Sequence, residues 1–296
     1  MKRGNIVLIF SVLIVSMLTL VSAGFFDGLG GTGHASQNVS VTVVGSAPVV
    51  YMVEDIGSII PTEGGIVTTP FEVRVSDFNG YADIDDSSVR VDFFKATETN
   101  RSGTCSLSVP DVESDGLASS YSCSVNMWYY DQSGSWTINV YALDDGANPA
   151  SNKTRTLTYN VLNAMQIVSP IGSLSWLPLA SGAQDQGADN DPSVINNTGN
   201  FDGTIRISAY ELDGETTPGE YINSTFFSVS GVSGNECTGV PLGYAGNAVD
   251  TLISSNRGPP NLVSEIYYCL DVPIVSAQAY STSIRGASFS WSIIYQ

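Results

Sequence analysis

The chain is nearly without histidine: His34 is the only one, and it sits in the glycine-rich stretch GFFDGLGGTGHASQ. A flexible backbone there cannot hold a catalytic geometry, which argues against a Ser/His/Asp triad, a Cys/His pair and a His-ligated zinc site. G-x-S-x-G, H-E-x-x-H and a phosphate-binding loop are also missing, and the glycine run at 28–33 precedes no strand-to-helix unit. No C-x-x-C spacing occurs, so redox chemistry has no dithiol to use. The expectation is a protein that is not an enzyme. The one enzymatic alternative is a carboxylate-only glycosidase, because two acids can converge from anywhere in a chain.

Positive charge is scarce too. Eleven Lys and Arg face 29 Asp and Glu, for a net charge of -18, and the only lysines are Lys2, Lys95 and Lys153. Nucleic acid and anionic lipid are repelled by such a chain. Ser, Thr, Asn, Gly and Asp carry the surface instead, a composition suited to a secreted β protein, to divalent cations or to salty surroundings.

The opening MKRGNIVLIFSVLIVSMLTLVSA places Lys2 and Arg3 before an uncharged apolar run and ends on small residues, Val21-Ser22-Ala23. That is the pattern of a signal peptide over 1–23. Its removal takes away Lys2 and Arg3 and no acid, so the net charge goes from -18 to -20. Two other readings stand beside it: an uncleaved anchor, which confines membrane contact to residues 5–23, and a prepilin-type leader cut after Gly4. All three send the chain to the cell surface or the extracellular space. Five sequons, at Asn38, Asn100, Asn152, Asn196 and Asn223, permit N-glycosylation there.

After residue 24 helical periodicity gives way to alternation of period two. FEVRVSD (71–77), SVRVDFF (88–94) and SWTINVYAL (135–143) each place apolar residues on one face, and turn clusters such as DFNGY, YDQSGS and DDGANP separate them. This predicts an all-β chain of two tandem antiparallel β-sandwiches behind an N-terminal signal or anchor helix. The divisions are a signal or anchor over 1–23, a glycine-rich tail over 24–47, a first sandwich over 48–163 and a second β domain over 164–296. Strands expected in the second include MQIVS, SLSWLPL, TIRISAY, STFFSVS, EIYYCLDVP and SFSWSIIYQ.

Four cysteines in an exported chain suggest two disulfides, and three pairings can be drawn. Sequence position favours Cys105 with Cys123 and Cys237 with Cys269, one pair in each domain. Cys105, Leu107 and Val109 share an apolar face, as do Tyr121, Cys123, Val125 and Met127, so the first bond is expected in or against the core. The second is expected to pin a loop to a strand.

SWTINVYALDDGANPASNKTRTLTYNV resembles the last two strands of secreted immunoglobulin-like domains of the cadherin, PKD and bacterial-Ig type, and VSDFNGYADIDDSSVRVDF resembles their middle hairpin. INNTGN followed later by YYCLDVP is similar to the C-terminal β domain of archaeal-type surface proteins. Some of those modules bind calcium through acidic turns. The resemblance implies a ligand role for Asp144 and Asp145, although VLNAM replaces the asparagine-rich linker that completes the cadherin site. A second oxygen cluster is Asp77, Asn79, Asp83 and Asp85, since DFNG and DIDD can share one loop and hard cations take six or more oxygens. Calcium is the one cofactor this reading offers.

The segment NVSVTVVGSAP (38–48) has the alternation and the proline stop of a strand, yet no domain precedes it for that strand to close. TLTYNVLNAMQIV repeats the same order of β-branched strand, small-residue break and first strand of the next domain. Residues 39–44 therefore stand where a final strand would stand. Two expectations follow. The segment folds back as an edge strand of the first sandwich, or Val39, Val41 and Val43 fill the groove of a neighbouring molecule and build a filament. The function these residues support is a non-enzymatic structural or adhesive surface protein, a filament or surface-layer subunit whose partners are copies of itself or other surface proteins. The alternative is a carbohydrate-binding or substrate-docking module in which Trp128, Tyr129 and Tyr130 form an aromatic platform for glycans.

Overall fold

The computed structural model describes residues 37–42, 44–170 and 172–296. The expected signal or anchor over 1–23, His34 and Val43 lie outside the described residues. Eight strands build the N-terminal half: β1 (Val49–Val53), β2 (Ser58–Ile59), β3 (Ile66–Ser76), β4 (Arg90–Phe94), β5 (Arg101–Val109), β6 (Ala118–Trp128), β7 (Gly134–Leu143) and β8 (Pro149–Tyr159). They follow from the alternation. Phe71, Val73 and Val75 on β3 are buried together with Val91 and Phe93 on β4 and with Trp136, Ile138 and Val140 on β7. Each such side chain contributes ~1.5–3 kcal/mol by leaving water.

The hydrogen-bonded order is β1-β3-β6-β5-β4-β7-β8-β2. One pair, β2 with β8, is parallel, where antiparallel pairing throughout is expected from the sequence. The layers are also joined rather than separate. β5 pairs with β4 through Arg101–Thr104 and with β6 through Thr104–Val109, so one strand passes from one layer to the other. Phe71 of β3 and Phe93 of β4 then meet across the core with ring centroids 5.8 Å apart.

Twelve further strands make the C-terminal half: β9 (Met165–Ser169), β10 (Gln186–Gly187), β11 (Ser193–Asn197), β12 (Gly203–Ser208), β13 (Leu212–Gly214), β14 (Tyr221–Ile222), β15 (Phe227–Ser230), β16 (Val240–Pro241), β17 (Ala248–Ser255), β18 (Val263–Leu270), β19 (Tyr280–Ser281) and β20 (Ser292–Tyr295). The largest sheet runs β16-β15-β18-β11-β9, with β10 also on β18, and two small sheets run β17-β12-β20 and β14-β13-β19. A second core gathers Ile195, Ile205, Ile207, Phe227, Ile266 and Leu270 among others. Trp291 closes it edge-on against Phe227 at 4.9 Å.

Two sequence expectations change here. SLSWLPL forms no strand: Leu174 and Trp176 turn inward, but among the described residues the one backbone pairing of the stretch is Asp189 N to Ser175 O, and Pro178 has no N–H to give. STFFSVS opens as a single 3-10 turn, Ser224–Phe226, capped by the Asn223 side chain, before β15 begins. β17 is not legible in advance because Leu252, at positive φ and 78 % exposed, interrupts its alternation.

Residues 44–296 pack as one unit around these two cores. The loop after β11 joins the halves. Gly64 N donates to Thr198 O, Thr198 Oγ1 donates to Glu63, and Asn200 holds the connecting chain by accepting from Leu162 N and donating to Asn160 O. Arg257 adds a fork onto Glu98 and a third bond to Tyr130 O. Among the described residues no helix is long and apolar enough to cross a membrane.

Candidate functional site

Both disulfides are present, Cys105–Cys123 and Cys237–Cys269. The first links directly opposed residues of β5 and β6, and Cys123 lies in the core. The face of its partner differs from expectation. Leu107 and Val109 are exposed, because β5 shifts register between them and leaves the core after Cys105. The second bond ties a 3-10 turn, Glu236–Thr238, to β18, and Cys269 is buried. Two such bonds indicate an oxidising, extracellular environment.

Three of the six acidic-cluster candidates converge. Asp77 at the end of β3, Asp83 in the following 3-10 turn and Asp144 at the end of β7 bring carboxylate oxygens within 4.8 Å of one another. The backbone enforces this: Ile84 bridges to Asp144, and Asp145 N donates to Asp83 O. Asp77 and Asp144 are each 2 % exposed. Asp144 Oδ1 accepts from Asn148 N and Oδ2 from Asn148 Nδ2, both at 2.7 Å, and those bonds hold its carboxyl below the ordinary range. Asp77 Oδ1 accepts from Asn79 N, but among the described residues its buried Oδ2 has no partner. Loss of solvent, then the charges of Asp77, Asp144 and Asp145, push the Asp83 carboxyl up.

The other three take different places. Asp85 caps the turn Asp86–Ser88 by accepting from Ser87 N, Asp145 is exposed, and Asn79 Oδ1 accepts from Ser46 N at 2.8 Å and from Ser46 Oγ. That last contact was not foreseen. It fixes the chain next to the carboxylates just before β1 begins, and only the polar pattern of DFNG hinted at it. Chemically, Asp77, Asp83 and Asp144 supply three hard oxygen donors, a set that fits a divalent cation.

Residues 37–42 form no strand, and Val39 and Val41 are each 80 % exposed. Val44 is exposed as well. In the aromatic triplet, Tyr129 is buried, while Trp128, 36 % exposed, stacks on Tyr130 at 5.9 Å. Arg101 lies over the Tyr130 ring and pairs with buried Asp131. Of the sequons, Asn38 and Asn100 are exposed and Asn223 half-buried; Asn152 spends its amide on Val50 O, and Asn196 is followed by a buried Thr198.

Across the C-terminal half runs a cleft of about 1260 Å³, walled by the stretches 172–181 and 275–283, with Ile167 of β9 and Ile293 of β20 also in its lining. Its floor is the second core, including Ile207, Tyr268, Leu270 and Trp291. Among the described residues no Asp, Glu, Lys or Arg lines it. Comparison with protein-family models and with curated proteins finds no match to this chain.

Proposed function

We propose that this chain is a non-enzymatic protein of the extracellular surface, exported by residues 1–23, whose two tandem immunoglobulin-like sandwiches (48–163 and 164–296) serve structural or adhesive contact. Copies join by donation of the segment led by Val39 and Val41. One observation carries this reading: residues with the alternation of a strand lie outside any strand, with both valines 80 % exposed. Apolar side chains and unpaired backbone so placed are a template for pairing with another chain. A hard divalent cation at Asp77, Asp83 and Asp144 is part of the proposal. It satisfies the partnerless oxygen of Asp77 and stiffens the base from which the segment leaves.

The test is deletion of residues 24–46, with microscopy and size measured beside the mature full-length chain. The full-length chain assembles and the deletion variant stays single. A full-length chain that remains monomeric at high concentration, or a deletion variant that still polymerises, ends the strand-donation reading. Carbohydrate binding is the second reading, favoured by the stacked and partly exposed Trp128 and Tyr130.

A further inference from the structure

We infer that the acceptor of the donated segment is the uncharged cleft of the C-terminal half, entered along the free edge of β9, and that its occupant is the Val39–Val41 strand of a second copy of this chain. The inference rests on the strand-donation reading above and adds the place of docking.

The edge comes first. β9 pairs with β11 on one side, and among the described residues no strand pairs with its other side. Ile167 and Val168 on it are 45 % and 46 % exposed. Proteins blunt such edges with charge, proline or a covering element, and β9, MQIVS, carries no charge. Beside it the stretch 173–177, SLSWL, has the alternation of a strand but no ladder, with Leu177 69 % exposed.

The space behind the edge is the second observation. Native interiors leave few voids larger than a water, yet here core residues Ile207, Tyr268 and Leu270 face an opening of about 1260 Å³. That exceeds the ~300–1,000 Å³ of small-molecule sites. It suits a peptide strand, whose backbone would meet the free edge of β9 while alternate side chains enter the cleft. Val39 and Val41 are one such alternate pair, with Ser40 and Thr42 left to face water.

Charge selects a second copy as the occupant. Two mature chains, at net charge -20 without residues 1–23, repel each other over most of their surfaces. Residues 37–48, QNVSVTVVGSAP, and the cleft lining are both without charged side chains, so these are surfaces on which copies can meet. The donor precedes the N-terminal half in sequence and the acceptor belongs to the C-terminal half. Such a heterologous contact joins copies head to tail, into an open filament where its rotation does not close a ring.

The test uses the full mature chain with single added cysteines: Val41→Cys in one preparation and Ile167→Cys in another, mixed, allowed to assemble, and run without reductant. The expected result is a cross-linked pair in the mixture, at least tenfold above either preparation alone. Leu177→Cys replaces Ile167→Cys should the β9 variant melt early. Combining Val39→Asp with Val41→Asp is expected to raise the concentration needed for assembly at least tenfold, with melting unchanged. Assembly that proceeds without the cross-link from either acceptor variant overturns the cleft as acceptor and leaves strand donation standing. A cross-link formed within single chains of the double variant Val41→Cys/Ile167→Cys overturns the second copy as occupant. A fluorescent fatty acid that fills the cleft while assembly proceeds unchanged assigns the cleft to a small apolar ligand and overturns the inference equally. A wild-type chain that never assembles sinks the underlying reading.

Discussion

Asp77 is the residue whose surroundings ask most for a partner, since a buried carboxylate oxygen without a hydrogen bond costs free energy that a cation would relieve. The neighbours raise that demand. Asp83, pushed up by desolvation and by Asp77, Asp144 and Asp145, is held less willingly as an anion in the folded protein than in the unfolded chain. A cation reverses that preference. Calcium at 100 times its dissociation constant should add about 2.7 kcal/mol, a rise of roughly 5–10 °C in melting temperature for a body of this size. Asp77→Asn should abolish the rise, and identical melting curves with calcium and with chelator would remove the cation from the account. Asp191 makes a separate prediction. Burial, then the charge of Glu236, push its carboxyl up to about 6, although its Oδ2 accepts from Tyr268 N. A folded pKa above the unfolded value means stability that is fully present below about pH 4 and lost as pH rises through about 6. Asp191→Asn keeps an acceptor for Tyr268 N, so it should stabilise by on the order of 1 kcal/mol at pH 7 and have no effect below pH 4. Denaturant midpoints at the two pH values check this; equal loss at both would show that the carboxylate itself is required.

Among the elements, the end of β11 and the turn after it, INNTGN, join the two halves. Asn197, Thr198 and Asn200 are buried in it, and each directs a polar group at a named backbone or side-chain partner. Gly199 lies between them because the chain approaches so closely that a Cβ there would stand 2.1 Å from Leu162 O and 2.9 Å from Ala164 N. Gly199→Ala should therefore cost about 1–3 kcal/mol, read as a lower denaturant midpoint, while Gly187→Ala, where a Cβ meets only the Glu236 side chain at 3.6 Å, separates crowding from a general glycine effect. The disulfides act in a different way. Each restrains the unfolded chain by about 3 kcal/mol rather than adding contact in the folded one. Their pairing was favoured by position in the sequence, and β3, β4 and β7 were visible in their alternation. β17 was not, because the exposed Leu252 breaks its period. Neither was the absence of a strand at SLSWLPL: alternation reports which face is buried, but a strand also needs a partner edge, and that edge is a tertiary fact. For the same reason the sequence grouped Asp85 with Asp77 and Asp83, whereas the folded chain uses Asp85 as a cap.

For the molecule as a whole, self-repulsion at net charge -18 opposes assembly through any charged face and is screened by salt. A contact made by uncharged surfaces survives both conditions. The chain lacking residues 24–46 is accordingly expected to stay single at every salt concentration at which the full-length chain forms filaments. The sequence by itself determined the all-β character, because period-two alternation is a local property. It also favoured the disulfide partners, one pair to each half. Only the tertiary structure decided that Asp77, Asp83 and Asp144 meet, that β5 passes between the layers and that, among the described residues, β9 keeps a free edge and a cleft without charged side chains opens onto the second core. Those are relations between residues distant in the chain, fixed by which strands find partners, and strand pairing is a property of the whole fold rather than of any segment.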